Sequence, residues 1–310
     1  MRSKRELDAA IRAEGRAVLI VNTRSRRGRR QFDRSRRLLA EAGLSFLETF
    51  PVSEPGRLTE TFSAALALRP DLVVVGGGDG TIAEAVGHLA GLDVALGLLP
   101  LGTTNNFARG LHLPVGLAGA VAVLRDGKVA DVDVGYIGDE VFANMVSIGL
   151  SVQVAERVSP RLKRLAGRSA YALTALRLLP RHRPFRAVLR IDGESHELTT
   201  HQLNIANGSH QSGRPFAADA SLDDRLLAVY RLGDAGLPQL AAATVRHMLA
   251  GHRRSLADDM FLTTDDRVHV ETDPPLGVEA DGELRGRTPV TIVMRANALR
   301  VLVPQSFEDR

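Results

Sequence analysis

Four glycines, a carboxylate and a threonine interrupt a strongly apolar segment early in the chain. The apolar run 72–75 is followed by Gly76, Gly77, Gly78, Asp79, Gly80 and Thr81. Glycine reaches backbone angles that other residues avoid, and without a Cβ atom it lets main-chain N–H groups approach a ligand closely. The pattern therefore predicts a buried strand that ends in a phosphate-binding loop.

The residues after this loop predict a helix, because the apolar side chains from Ile82 to Val86 recur at helical spacing. The unpaired N–H groups and the dipole at a helix N-terminus favour an anion. Asp79 would repel bare phosphate, so its presence indicates a metal-bound nucleotide with a divalent cation between the carboxylate and the phosphates. The alternative is a glycine-rich turn that Asp79 caps and that binds nothing.

A second loop of similar character follows the next apolar run, 94–99. It contains Gly102, Thr103, Thr104, Asn105 and Asn106, which offer hydroxyl and amide groups at the start of a helix. Helix capping explains the threonines equally well when they are taken alone. Loops at the carboxyl ends of neighbouring parallel strands converge on one crevice, however, which favours a shared nucleotide site. A third loop, after Val21, would face the same ligand.

Two groups of carboxylates come late in the chain. Asp281 and Glu283 stand on either side of Gly282, as in a β-turn, where one could act as a base for a hydroxyl and the other could position it. The alternative is a solvent-exposed hairpin tip. The segment from Asp219 to Asp224 could bind a divalent cation, or it is a polar loop before the strand 226–232.

The composition excludes several classes of chemistry. The chain has 310 residues, 44% of them hydrophobic and 25% charged, and no cysteine, so it has no thiolate nucleophile, disulfide or cysteine-bound zinc. It contains no zinc-protease, Walker A or serine-hydrolase motif. No apolar run approaches the roughly 20 residues that span a bilayer. The charged N-terminus lacks an apolar signal core, so we expect a cytoplasmic protein with at most peripheral membrane contact.

The elements that position these residues fall into two regions. In residues 1–127, strands alternate with helices of about a dozen residues, which predicts a doubly wound α/β domain around a parallel sheet. In residues 128–299, short alternating apolar runs separated by turn residues predict an antiparallel all-β domain. The runs are 129–135, 140–146, 185–191, 197–205, 226–232, 261–271 and 290–293.

Two helices are predicted within the second region. The segment 160–179 is amphipathic and basic, so it either binds an anionic membrane surface or packs on the β domain. The segment 237–249 is a packing helix.

The ordered set of motifs resembles a known family. Gly77 to Thr81, then Pro100 to Ala108, then the segment from Asn207 to Asp224, and finally Asp281 to Glu283 are similar to the soluble bacterial diacylglycerol kinases and YegS-like lipid kinases, with ceramide and sphingosine kinases as more distant relatives. A glycine-rich loop alone would be weaker evidence, since NAD kinases and phosphofructokinases carry similar loops. The resemblance covers nearly the whole chain.

This resemblance implies a site for ATP and Mg²⁺ between an N-terminal nucleotide-binding domain, to which residues 300–310 return, and a C-terminal β-sandwich. The implied nucleotide-binding residues are Asn22, Gly77, Gly78, Asp79, Gly80, Thr81, Thr103 and Asn105. Glu283 matches the general base that takes the proton of the lipid hydroxyl, with Asp281 beside it, and Asp79 would act near the catalytic magnesium. A structural magnesium would be held by Asp224 and the carbonyls of Ser221 and Leu226.

The sequence departs from the family pattern at four positions. Thr23 stands where proline usually follows the first asparagine, and Asn106 replaces a common aspartate, which removes one charge near the metal. In the magnesium-binding turn, Arg225 replaces glycine and Ala228 replaces a frequent aspartate, so we expect lower metal affinity there.

Three functions are compatible with the sequence. The first is an ATP- and Mg²⁺-dependent kinase of a neutral lipid such as diacylglycerol at the cytoplasmic membrane face. The second is a kinase of another hydroxyl substrate: phosphatidylglycerol, a sphingoid base, NAD or a polyol. The third is a lipid-binding homologue without activity, which the retained Asp79 and Glu283 disfavour. We expect a lipid and the membrane surface as partners and no nucleic acid; a homodimer is left open.

Overall fold

The computed structural model describes residues 2–24, 26–159, 174, 177–178, 182–208, 210–211, 214–215, 221–232 and 261–309. The predicted helix 237–249 lies outside these residues, and so does the predicted helix 160–179 apart from residues 174, 177 and 178. Among the helices of the described part, none is long and apolar enough to cross a membrane.

The first part of the chain forms a four-stranded parallel arrangement with helices around it. Its strands are β1 (Ala17–Asn22), β2 (Glu48–Val52), β3 (Leu72–Gly77) and β4 (Ala95–Pro100) in the order β2-β1-β3-β4. Its helices are α1 (Lys4–Glu14), α2 (Arg26–Glu41), α3 (Leu58–Ala67, after a 3-10 turn Pro55–Arg57), α4 (Asp79–Leu89), α5 (Asn106–Gly110) and α6 (Leu117–Asp126).

Both faces of this parallel sheet are buried, as the unbroken apolar runs require. Val18 and Ile20 of β1 belong to one hydrophobic core, and Leu19 and Val21 belong to another on the opposite face. The predicted doubly wound α/β domain is therefore confirmed.

The rest of the chain is rich in antiparallel strands. They are β5 (Lys128–Ile137), β6 (Glu140–Phe142), β7 (Met145–Gly149), β8 (Phe185–Ile191), β9 (Glu194–Thr200), β10 (Gln202–Ala206), β11 (His210–Gln211), β12 (Arg214–Pro215), β13 (Leu227–Leu232), β14 (Phe261–Thr264), β15 (Arg267–Asp273), β16 (Gly277–Ala280), β17 (Glu283–Arg287) and β18 (Val290–Val303), with helix α7 (Leu150–Arg157) after β7. A six-stranded sheet in the order β14-β13-β10-β7-β16-β17 encloses a third core together with β8 and β15. The predicted β-sandwich is confirmed.

Strand β18 joins the two regions into one ten-stranded sheet. Its first residues pair antiparallel with β15, and Arg300 and Val301 pair parallel with Ala95 and Leu96 of β4. Strand β5 pairs with β18 along most of its length. The division into residues 1–127 and 128–299 stays a prediction, and the second boundary falls inside this continuous strand.

Four predicted strands had the wrong limits. The run 140–146 breaks because the N–H groups of Ala143 and Asn144 donate to the Asp281 carboxylate. The runs 197–205 and 261–271 break at short turns, where the Thr200 and Thr264 hydroxyls accept backbone N–H groups. The run 290–293 continues to Val303, because β18 has strand partners along its length.

Candidate active site

The glycine-rich segment places an open helix N-terminus at the end of β3. Strand β3 extends through Gly77, Gly78 is the N-cap of α4, and no side chain caps this end. The first N–H groups of a helix have no intrahelical acceptor, so those of α4 are available to a ligand. Gly80 is exposed, and a Cβ atom placed there would have no heavy atom within 4 Å. The helix end thus has donors and free space for an anion.

The two glycine-containing loops touch each other through their backbones. A Cβ atom on Gly102 would lie 2.5 Å from the Cα atom of Gly78, and one on Gly77 would lie 2.5 Å from the Thr81 Cβ. Leu101 also donates its N–H to the Gly77 carbonyl at 2.9 Å. Only glycine fits at these contacts without movement of the backbone or of Thr81.

The Asp79 carboxylate fastens the second loop to α4. One oxygen accepts the Thr104 hydroxyl and the Asn105 N–H, at 3.0 Å for the latter, and the other oxygen accepts the Asn106 N–H at 2.5 Å. Asp79 is the first residue of α4, not its cap. Its negative charge is therefore directed to the loop after β4, beside the open N-terminus of α4.

Two asparagines complete this crevice. Asn105 has a left-handed backbone with φ of 49°, is buried, and closes its own loop by hydrogen bonds with the N–H and carbonyl of Gly102 at 2.9 and 3.1 Å. Asn22, at the end of β1, donates its side-chain amide to the Thr81 hydroxyl at 3.0 Å. The structure therefore brings together the predicted loops after β1, β3 and β4, while Thr103 lies on the exposed rim.

Asp281 is the anchor of the late hairpin. It has φ of 50°, and its carboxylate accepts the N–H groups of Ala143, Asn144 and Met145 at 2.5, 3.0 and 3.2 Å. Burial raises the pKa of Asp281, while these three donors act in the opposite direction. The side chain thus holds the connection between β6 and β7.

Glu283 begins β17 and is exposed. Arg285 donates to Glu140 at 2.9 Å through Nη1 and lies 3.3 Å from Glu283 through Nη2, so one guanidinium holds both carboxylates. The Glu283 side chain is 66% exposed and the Arg285 side chain 26%. The exposed Glu283 side chain can therefore contact a substrate, whereas the Asp281 side chain cannot.

Strand β6 links the hairpin to the glycine-rich helix. Helix α4 packs against β6, which carries Glu140, the partner of Arg285. The residues directly after β6 donate to Asp281. The hairpin with Glu283 is thus attached to the structural unit that α4 supports.

The predicted magnesium-binding turn is closed by its own backbone. The Asp224 carboxylate accepts the Ser221 N–H at 2.8 Å and the Leu226 N–H at 3.0 Å. The N–H of Arg225, the residue before Leu226, donates to Asp133 at 2.7 Å. Asp133 also accepts the Asn297 N–H at 2.9 Å. Burial raises the pKa of both carboxyl groups, and the charge of Asp133 adds to the rise for Asp224.

Within the described residues, no three His, Asp or Glu side chains are arranged to hold a metal ion by themselves. The turn at Asp224 fits a cation only with main-chain carbonyls as further ligands, which is the arrangement that the sequence predicted.

Sequence reasoning missed three residues that the structure places at or near these sites. Asp133 holds the turn after Ser221, and Arg285 bridges Glu140 and Glu283. Asp133 alternates with the apolar residues of β5, so a buried strand carrying a carboxylate was the available signal. The others depend on contacts between residues far apart in the chain.

Two family models match the chain. Residues 16–137 match the diacylglycerol kinase catalytic domain, and residues 144–303 match the YegS C-terminal NAD kinase beta sandwich-like domain. The two matches meet between β5 and β7, close to the predicted change of fold.

Individual proteins give the same result. The chain is 28% identical over 260 residues to a diacylglycerol kinase of Bacillus subtilis, with 82% of this chain and 85% of the relative covered. It is 31% identical over 256 residues to a protein of Pseudomonas putida named probable lipid kinase YegS-like, with 81% and 83% covered. A crystal structure of a diacylglycerol kinase from Bacillus anthracis has the same fold, with a TM-score of 0.74, 24% identity, and 93% and 97% of the two chains covered.

Proposed function

Since the chain belongs to the family of diacylglycerol kinases and YegS-like lipid kinases, it is a lipid kinase, and we propose that it transfers the γ-phosphate of Mg²⁺-bound ATP to a hydroxyl of a neutral lipid such as diacylglycerol. The observation that carries the proposal is the open N-terminus of α4 in the crevice formed by the glycine-containing loops. The hairpin that carries Glu283 is joined to α4 through β6.

The proposed ATP site lies at this crevice. The N–H groups of Gly78, Gly80 and Thr81 would bind phosphate oxygens, which the helix dipole also attracts. Asn22, Gly77, Thr103 and Asn105 shape the walls around them. The support is that Gly102 packs closely on Gly78, which holds the two loops together, and that the space beside Gly80 is free for a ligand.

Asp79 has a positioning role in this proposal. Its carboxylate accepts three donors from the second loop, so it fixes that loop against α4 and keeps a negative charge near the phosphates. A carboxylate oxygen has a further lone pair, through which Asp79 would act near the catalytic magnesium by way of a metal-bound water.

The residues around Asp224 fit the second magnesium. Two carboxylates accept adjacent backbone N–H groups there. Burial disfavours the charged forms of both, and the charge of Asp133 adds to this for Asp224, which a cation would relieve. Asp224 and the carbonyls of Ser221 and Leu226 would hold it. This ion would be structural, whereas the catalytic magnesium bound with ATP would supply neutralisation of the phosphate charge.

Glu283 is the proposed general base. It would take the proton of the acceptor hydroxyl while the hydroxyl oxygen attacks the γ-phosphorus and ADP leaves with the electrons of the broken bond. Arg285 and Glu140 restrain Glu283, and Asp281 keeps the hairpin on the β6–β7 connection. Such positioning and charge stabilisation are most of what phosphoryl transfer requires.

A lipid acceptor places the enzyme at the cytoplasmic membrane face as a peripheral protein. The basic residues of the segment 160–179 favour contact with anionic lipids, each contributing about 1 kcal/mol near the surface. The competing function, phosphorylation of NAD or another water-soluble hydroxyl compound, uses the same nucleotide site and differs only in the acceptor.

The experiment is to supply the purified protein with labelled ATP, Mg²⁺ and a total membrane-lipid extract, and separately with NAD or polyols. We expect label in a lipid product that requires Mg²⁺. Label in NAD or a polyol and none in lipid would contradict the proposed acceptor. ATP binding without label in any acceptor would indicate the inactive lipid-binding homologue.

A further inference from the structure

Helix α2 carries a large share of the positive charge of the chain. Residues 26–41 contain seven arginines and two acidic residues, an excess of five positive charges. The whole chain has a net charge of +4, so the rest of the chain is close to neutral. Charge of one sign that is concentrated on a single element creates a local potential that attracts anions. Helix α2 is therefore a concentrated source of positive potential.

One side of α2 packs against the protein and the other side faces solvent. The helix contacts β1 and α6, where Leu39 is fully buried and Phe32 and Leu38 are partly buried. The arginines that are exposed are Arg29, Arg30, Arg34, Arg36 and Arg37. Residues three, four and seven positions apart lie on the same side of a helix, so these five side chains form one continuous surface. We call this surface the arginine face of α2.

The arginine face lacks the carboxylate partners that other exposed arginines have. Arg125, Arg186, Arg190 and Arg267 each lie 2.5–2.9 Å from a carboxylate oxygen. Among the residues that the structure describes, no carboxylate forms an ion pair with the arginine face, although Asp33 is exposed on the same helix. Like charges three or four positions apart on a helix repel each other. An external anion would relieve this repulsion.

The side chains of the face fit phosphate groups on an extended surface. A guanidinium group binds two phosphate oxygens through parallel hydrogen bonds. The helix has 16 residues and is about 24 Å long, so its arginines can contact several phosphates at once. The exposed positions of α2 in the described part of the chain hold arginine, alanine, aspartate and glutamate. They include no amide or aromatic side chain that would read or stack on nucleic-acid bases.

The arginine face begins beside the proposed nucleotide crevice. Asn22 ends β1 and donates its side-chain amide to the Thr81 hydroxyl of α4 at 3.0 Å. The Oδ1 atom of Asn22 accepts the N–H of Arg24 at 3.1 Å, and Arg24 is exposed. Helix α2 starts two residues later, so Arg29 and Arg30 lie in its first two turns, at the carboxyl edge of the parallel sheet. Anionic lipids bound by the face would therefore lie near the crevice.

We propose that the arginine face of α2 docks the protein on the anionic phospholipids of a bilayer. The contact is electrostatic and does not insert into the bilayer, because the exposed positions of the face carry no large apolar side chain. Docking brings the crevice at the ends of β1, β3 and β4 next to the surface from which a lipid acceptor must come. This inference rests on the proposed function, and it names the surface through which that enzyme would bind its membrane.

The test measures how the purified protein sediments with vesicles of phosphatidylcholine, alone or mixed with phosphatidylglycerol. We expect the wild-type protein to bind only the mixed vesicles and to dissociate between about 0.1 and 1 M salt, because the Debye length falls from about 10 to about 3 Å. Combining Arg30→Gln, Arg34→Gln and Arg37→Gln should weaken binding about 100-fold, since each arginine near an anionic surface contributes about 5-fold. Arg36 is kept because its guanidinium lies 5.7 Å from the Phe32 ring centroid.

Two further variants separate charge on this face from charge in general. Replacing the same three arginines by lysine keeps the charge, so this variant should retain most of the vesicle binding. Combining Arg186→Gln, Arg190→Gln and Arg267→Gln removes the same number of charges from exposed positions of the β-sandwich and should bind like the wild-type protein. Glutamine and lysine have nearly the helix propensity of arginine, so α2 should form in both of its variants.

The outcomes separate this claim from the proposed function. If the wild-type protein labels no lipid, the proposed function fails, while vesicle binding still tests the arginine face. With dispersed dioctanoylglycerol and no vesicles, the α2 glutamine variant should keep the wild-type rate, whereas its rate with diacylglycerol in mixed vesicles should fall.

Three results would overturn the docking face. The first is wild-type vesicle binding by the α2 glutamine variant, and the second is an equal loss of binding in the β-sandwich variant. The third is tighter binding of duplex DNA or RNA than of mixed vesicles by the wild-type protein at the same salt, lost in the α2 glutamine variant, which would assign the face to nucleic acid.

Discussion

The crevice at Asp79 and the hairpin at Glu283 both carry carboxylates, but these carboxylates differ in the hydrogen bonds that the protein makes to them. In the crevice, the Asp79 carboxylate has three donors from the second loop. In the hairpin, among the residues that the structure describes, Glu283 has only an ion pair at the surface and Glu279 has no hydrogen bond or ion pair. The Asp79 carboxylate is thus held by internal hydrogen bonds, whereas those of Glu283 and Glu279 are not.

In the proposed function, this difference separates carboxylates that position the chain from a carboxylate that would meet a substrate. Asp281 belongs to the first kind although it stands only two residues from Glu283, because three backbone N–H groups surround it. The motif of Asp281, Gly282 and Glu283 therefore combines one structural group with the proposed base.

The largest effect is expected from Glu283→Gln. General-base catalysis contributes about 10²–10⁴-fold, so turnover should fall by that factor. The free energy of unfolding should change by less than about 0.5 kcal/mol, because the side chain is exposed. Labelled-ATP assays and urea unfolding measure the two quantities. Loss of stability parallel to loss of turnover would place Glu283 with the positioning carboxylates.

Asp281→Asn should instead lower the stability of the protein. An amide cannot accept all three N–H groups without bringing its own NH₂ against one of them, so we expect a loss of about 3 kcal/mol in the free energy of unfolding. Asp281→Glu is the companion variant, since it keeps the charge but moves it. Full stability of Asp281→Asn in urea would show that the carboxylate does not anchor the β6–β7 connection.

Two glycines allow a smaller and sharper test of the crevice. Gly102→Ala forces a Cβ atom against the Gly78 backbone, and such overpacking costs about 1–3 kcal/mol. Gly80→Ala has free space and lies in the first turn of α4, so it should gain up to about 1 kcal/mol of stability. Titration with ATP should nevertheless show weaker binding by Gly80→Ala, because the methyl group enters the proposed phosphate site. Unchanged ATP affinity in both variants would contradict that site.

The smallest effect concerns pH. Because burial raises the pKa of Glu279 in the folded state, the folded protein binds this proton more tightly than the unfolded chain does. Its stabilising contribution is present below the unfolded pKa of about 4.3 and is lost as pH rises through the folded pKa. Glu279→Gln should therefore become more stable than wild type across this window, by about 1.4 kcal/mol per unit of pKa shift. A difference that is flat from about pH 4 to pH 8 would argue against a desolvated Glu279.

Much of the fold follows from local sequence patterns. Buried runs such as Leu72–Val75 and the change to alternating runs after Lys128 predict the parallel and antiparallel regions correctly. The length of β18 was not predictable, because a register irregularity between Arg295 and Leu299 interrupts its pattern and Asp133 binds the Asn297 N–H there. That bond joins residues 164 positions apart.

The candidate site was predictable as a set of residues but not in its details. Glycine and carboxylate motifs predict that Asp79 and Glu283 are site residues, because their spacing implies loops and turns. Nothing local indicates that Asp79 faces Thr104, that Asp281 faces the chain at Ala143, or that Glu279 faces Ser147. These contacts depend on the pairing of distant strands, so only the folded chain separates positioning residues from reactive ones.

The central claim is that the α4 crevice and the β16–β17 hairpin act on the same ATP molecule. A crystal structure with Mg²⁺ and a non-hydrolysable ATP analogue tests it most directly. The account predicts phosphates at the N-terminus of α4, near Gly78 and Gly80, with the γ-phosphate facing Glu283 and room for one hydroxyl group between them. A nucleotide bound elsewhere, or a γ-phosphate that Glu283 cannot approach, would contradict it.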